Sequence, residues 1–221
     1  MEALGSWLRS ALLCGCLMLA GLAAAGEIRA TVRDQKGQPV EDAVVLAMPL
    51  ERAAFAAAKP VRSVVDQVHR EFVPYVRAVY VGTSVSFPNK YNIRHHVYSF
   101  SPAKKFELPL YSGSTAPPVL FDKPGVVVLG CNIHDWMLGY IYVADTPFFA
   151  KSEKEGLAVV DNLPPGDYQL RVWHPDMEQS EQATLQRVTL TDKAMALTWS
   201  VPLKPSFRIP RPLGGNNMGY R

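Results

Sequence analysis

Val126-Val127-Val128-Leu129-Gly130-Cys131-Asn132-Ile133-His134-Asp135-Trp136-Met137 decides how this chain is read. Its first half is an aliphatic, β-branched run bounded by glycine, the pattern of a buried strand. Its second half is a loop that carries a thiol, an imidazole and a thioether. The spacing Cys-x-x-His-x-x-Met lets one tight turn aim all three side chains at a single point. These are the ligand types that a copper electron-transfer site takes from one loop, where a cysteine thiolate and two histidines are completed by a weak axial methionine. A second histidine must then come from elsewhere, and Asn92-Ile93-Arg94-His95-His96-Val97-Tyr98-Ser99-Phe100 offers one where the chain enters a strand.

Two plainer readings compete. A lone cysteine in a strand is often an inert core residue, and Cys-x-x-His also suits zinc. A structural zinc site, however, takes more sulfur or nitrogen ligands than the chain offers beyond residue 25, where Cys131 is the only cysteine. Cys14 and Cys16 lie in the apolar run Ala11 to Ala25, which follows Arg9 and ends in three alanines. That run reads as a secretory signal, residues 1–25, too short for a comfortable membrane span. The expected location is therefore periplasmic or secreted, with no stable membrane insertion after signal cleavage. In an oxidising compartment a single thiol is a liability unless it is buried or used.

The net charge of +3 is mild for 221 residues, and no basic stripe interleaved with aromatics appears, so nucleic acid is not an expected partner. Short β-branched and aromatic runs between turns point to an all-β fold. They are Ile28 to Val32, Ala43 to Leu46, Ala78 to Phe87, His96 to Phe100, Val126 to Leu129, Tyr140 to Val143, Tyr168 to Val172 and Val188 to Leu190. The alanine-rich stretch from Arg52 to Val68 reads as a linker with at most one short helix. Pro205 to Arg221, rich in proline and glycine, reads as a loose tail.

With these residues in view, residues 72–145 resemble the cupredoxin family, the plastocyanin- and amicyanin-like blue-copper proteins. The resemblance implies a Greek-key β-sandwich holding one type 1 copper, with His95, Cys131, His134 and Met137 as ligands. The family's first ligand is commonly followed by asparagine and a β-branched residue. Matching Val97 to the latter selects His95 and puts His96 in the asparagine's place, a departure that keeps His96 open as the alternative ligand. The family's electron path usually leaves through the exposed edge of the loop histidine, here His134, amid an apolar patch for which Trp136, Leu138 and Pro147 are candidates. His69 and His174 are read as structural or solvated.

A second resemblance brackets the first. Gly26 to Val45, with its Gly37 and Pro39 turn, and Leu163-Pro164-Pro165-Gly166-Asp167-Tyr168 are similar to the two halves of carboxypeptidase regulatory-like domains, small transthyretin-like sandwiches. The expected organisation is then a signal at 1–25 and a first half-sandwich at 26–58. A linker at 59–71, a cupredoxin domain at 72–145, a second half-sandwich at 146–204 and a flexible tail at 205–221 complete it. The expected function is a one-electron carrier between redox proteins such as a dehydrogenase and a c-type cytochrome. A copper-handling or delivery protein and a non-redox envelope binding module are the alternatives. An enzyme is not expected, since five histidines leave too few for a second, open copper site.

Overall fold

The computed structural model describes residues 25–51, 61–206 and 208. The signal reading, apart from Ala25, lies outside them, as do 52–60 and most of the tail. The described chain is all-β, relieved by one 3-10 turn at Glu181–Thr184. Among the described residues no helix is long and apolar enough to cross a membrane.

The two ends of the described chain build two facing sheets. In one, β1 (Gly26–Arg33) lies between β16 (Leu157–Leu163), antiparallel, and β19 (Ala194–Ser200), parallel. In the other the order is β15 (Phe149–Lys151), β2 (Val44–Pro49), β17 (Gly166–Trp173) and β18 (Gln186–Leu190). Alternation in β1 turns Ile28, Ala30 and Val32 inward, where they meet Val45, Ala47, Leu170, Val172 and Trp199.

The middle of the chain builds a second sandwich. Its larger sheet runs β10 (Lys104–Tyr111), β9 (His95–Ser101), β13 (Gly125–Gly130), β14 (Leu138–Ala144) and β6 (Val76–Tyr80). Its smaller sheet runs β12 (Val119–Phe121), β7 (Thr83–Ser86) and β3 (Arg62–Val64). Two short ribbons flank them: β4 (Asp66–Val68) with β5 (Glu71–Val73), and β8 (Pro88–Asn89) with β11 (Ser114–Thr115). Val97, Phe121, Val127, Leu129, Ile141 and Val143 fill the space between.

The two sandwiches share a third apolar cluster, which explains why β2 reads Val-Val-Leu-Ala-Met-Pro with almost no polar residue. Val45 and Ala47 face their own core, while Val44 and Leu46 face Tyr75, Val76, Tyr142 and Ala144 of the middle segment. A strand covered on both faces has no use for alternation. Each such aliphatic side chain contributes roughly 1.5–3 kcal/mol when fully buried.

Three expectations need correction. Of the stretch 59–71, residues 61–71 are not a linker, for they contain β3, β4 and the start of β5. Val65 and Gln67 are fully buried, and Gln67 Nε2 donates to Phe87 O (3.2 Å), Pro88 O (3.2 Å) and Tyr111 Oη (2.5 Å). A polar residue at an inward position masked the strand. The run from Ala78 to Phe87 is two strands in different sheets, because Gly82 takes a left-handed φ of 89° and its N–H bonds to Phe121 O at 2.7 Å. The beginning of the tail is anchored: the Arg208 guanidinium lies 4.6 Å from the centre of the Tyr75 ring, with Nη1 3.4 Å from Asp42 Oδ2.

Candidate metal centre

Adjacent, oppositely directed strands bring the key residues to one end of the middle sandwich. β9 begins at His95, and Tyr98 of β9 pairs with Gly130, the last residue of β13. Cys131 therefore leaves its strand beside the point where His95 enters. The approach is close: a Cβ on Gly130 would stand 2.7 Å from the outer end of the Tyr98 side chain, which would have to move aside. The loop then folds back into β14 through a bond from Met137 N–H to His134 O at 2.9 Å.

The result is a convergence of three ligand atoms within 4.8 Å of one another, from His95, Cys131 and His134. Cys131 Sγ lies 3.9 Å from His95 Nδ1 and 3.6 Å from His134 Nδ1. The imidazole rings are 5.0 Å apart and inclined at 53°. A first-row metal with bonds of about 2.3 Å to sulfur and about 2.0 Å to nitrogen in a trigonal arrangement holds sulfur and nitrogen about 3.7 Å apart. The two observed separations bracket that value. Met137, 2 % exposed, packs in the same apolar cluster as Cys131.

The electrostatics keep the nitrogen lone pairs free. Burial pushes the His95 imidazole down to about 4, and the neighbouring His134 and the Arg70 guanidinium add to the effect. Burial also lowers His134, with Arg70 again contributing. Both rings are thus neutral near pH 7, the form that coordinates a metal.

His96 does not join the group. Alternation along β9 turns it to the other face, where its Nε2 stands 2.9 Å from Glu107 Oε1 and its ring 5.7 Å from Tyr98. Trp136, 54 % exposed, lies with its ring 5.7 Å from that of His134. Leu138 is half-buried at the start of β14. Pro147 lies past the far end of that strand, whose seven residues span roughly 20 Å, and so forms no part of a patch around His134. His174 is buried, accepts a bond from Asp176 N–H at 3.1 Å, and belongs to the other sandwich.

Sequence reasoning missed the residues that hold the loop before His95. Asn89 is fully buried, and its Nδ2 donates to Ile93 O and Tyr111 O, both at 2.8 Å, while its Oδ1 accepts from Tyr91 N–H at 3.2 Å. Tyr111 Oη donates to Phe87 O at 2.5 Å and accepts from Gln67. Burial raises this phenol to about 12, which keeps it a donor. As a sequence Pro88-Asn89 reads only as a turn. Nothing local announces that the asparagine points inward.

No family model matches this sequence, and no curated protein does. Among solved structures it is similar to a copper-containing nitrite reductase from Thermus scotoductus SA-01, with 29 % identity over 45 % of this chain and 26 % of that one, at a TM-score of 0.36. This chain thus spans about a quarter of that protein's length. A purple cupredoxin from Nitrosopumilus maritimus shows 22 % identity over 37 % of this chain and 96 % of its own, at a TM-score of 0.32. A reduced amicyanin variant shows 22 % identity over 44 % and 98 %, at 0.34.

Proposed function

We propose that the protein is an exported type 1 copper protein that carries single electrons between redox partners. The carrying observation is the convergence of one buried thiol with two uncharged imidazoles at sulfur–nitrogen separations of 3.9 and 3.6 Å. In this reading His95, Cys131 and His134 would hold the ion and Met137 would add a thioether. Copper bound there would accept and release one electron. The protein's own part is to keep the ligands nearly immobile while this happens. Asn89 fixes the approach to His95, the bond from Met137 N–H to His134 O closes the loop, and the packed core around Cys131 excludes water.

Burial favours a carrier over a delivery protein. A donor site that hands metal on needs accessible ligands, whereas His95 and Cys131 are almost wholly covered. His134, half-buried and flanked by exposed Trp136, offers the edge through which an electron would pass.

The test is to add Cu(II) to the purified protein and record visible absorption and electron paramagnetic resonance beside Cys131→Ser. An intense visible band with narrow copper hyperfine splitting, absent in the variant, is the expected result. Colourless or square-planar copper would remove the carrier reading.

A further inference from the structure

The surface around His134 combines an apolar centre with a cationic rim. Ile133 and Trp136 are exposed on the Cys131 to Met137 loop, and Tyr91 and Ile93 are exposed on the segment that leads into His95. Three exposed cations lie on the same elements: Lys90 and Arg94 on the segment that leads into His95, and Arg70 at the tip of the β4–β5 ribbon. Asp135 is exposed there too, and Glu71 is half-buried. The balance is positive.

Arg70 is held in place at a conformational cost. Val68 pairs with Glu71, so His69 and Arg70 form a two-residue hairpin connection, and both have positive φ, 49° and 64°. Such turns favour asparagine and glycine, and other residues in this region are strained. Glycine at the tip would relieve the strain and forfeit the charge. The ribbon is fastened from both sides: the His69 ring lies 5.2 Å from Tyr91, and Phe72 is buried in the cluster that contains Cys131 and Met137. Glu71, next to Arg70, lines one cavity with Asp135 and Trp136 of the loop, which sets the ribbon tip beside that loop.

We infer that this face recruits a redox protein whose docking surface carries carboxylates around its exposed cofactor edge, with Arg70, Lys90 and Arg94 steering it onto the apolar centre. The inference rests on the electron-carrier reading and adds the chemistry of the partner. Clustered charge of one sign raises the encounter rate of an opposite charge by about 10- to 1000-fold, and salt screens the effect.

The experiment uses the copper-loaded full chain and two one-electron reductants of opposite charge, hexacyanoferrate(II) and hexaammineruthenium(II). Each gives one electron to the oxidised protein and becomes its trivalent form. The expected result is a second-order rate that falls several-fold with added salt for the anionic reductant and rises for the cationic one. In Arg70→Glu/Lys90→Glu/Arg94→Glu the anionic rate should fall about tenfold and both salt dependences invert. A control with the same charge change, Lys36→Glu/Lys154→Glu/Lys193→Glu, alters exposed lysines of the other sandwich. It should have little effect at about 0.1 M salt, where the screening length is about 10 Å. Equal responses in the two triple variants would overturn the cationic rim as a steering device. If neither reductant reacts, the carrier reading itself fails, a result distinct from reaction without charge preference.

Discussion

The two sandwiches bury aliphatic cores of much the same kind, but they use buried polar groups differently. In the sandwich built from the chain ends, Ser152 Oγ donates to Val40 O and accepts from Ala43 N–H, and Thr146 Oγ1 donates to Ala47 O. These groups satisfy backbone at strand edges. In the middle sandwich His95 approaches the thiol of Cys131, while buried Gln67 and Asn89 tie down the chain that leads towards His95. One region uses polarity to close its sheets, and the other to hold the segment that enters the His95–Cys131–His134 group. The difference should be visible in how each responds to perturbation.

The largest expected effect comes from the cores. Leu170→Ala in one sandwich and Leu129→Ala in the other each remove a fully buried side chain and should cost about 2–5 kcal/mol in urea unfolding. Only Leu129→Ala, whose residue packs in the cluster containing Cys131, should also shift the visible spectrum of the copper-loaded protein. Equal shifts from both would show that the division of labour is wrong.

Acid is the next discriminator. His95 is held near 4 against an ordinary 6.5, so between those values the unfolded chain binds a proton that the folded chain refuses. Stability of the metal-free protein is therefore complete above pH 6.5 and lost as pH falls towards 4, by on the order of 3 kcal/mol. His134 is lowered by burial too and adds in the same direction. His174 of the other sandwich is lowered by burial, but Asp176, Asp42 and a backbone bond to Glu41 oppose the shift. His95→Gln should flatten the pH dependence of urea midpoints between 4 and 6.5 far more than His174→Gln does. The reverse order would contradict the picture of an uncharged ligand pocket.

Asn89 and Ser152 make a matched pair. Each is buried and satisfies several backbone groups, so alanine at either position should cost about 1–3 kcal/mol. Asn89→Ala should in addition broaden or move the copper bands, since it frees the loop before His95. Ser152→Ala should leave them unchanged.

What was legible in the sequence follows the same divide. The run Val126 to Leu129, the alternation in β1 and the turn at Pro164 to Asp167 state their structure locally, because apolar spacing and glycine or proline turns act over a few residues. The spacing from Cys131 to Met137 likewise announces a loop of ligand types before any fold is known. Partners far apart in sequence were not legible. The family resemblance selects His95 but leaves His96 open, because which of them meets Cys131 depends on the face of β9 that packs inward, a property of strand pairing with Gly130. Gln67 and Asn89 look like surface residues until Tyr111, from a distant strand, comes to lie beside both.

The smallest expected effect lies at the junction, where the contrast between the regions is sharpest. Tyr142 sits on β14 between Ile141 and Val143, which face the core next to the site, while its own ring turns towards Trp173 at 5.2 Å and its hydroxyl donates to Glu181 at 2.7 Å. Burial holds this phenol well above its ordinary range, so it remains protonated and a donor at any ordinary pH. Tyr142→Phe keeps the ring packing and deletes one hydrogen bond, for a loss of about 1 kcal/mol in unfolding. Because alternation separates the two faces of β14, the copper spectrum and the rate with hexacyanoferrate(II) should not move. A change in either would mean that the sandwich built from the chain ends sets the geometry at the thiol, and that the junction is a coupling element rather than a shared wall.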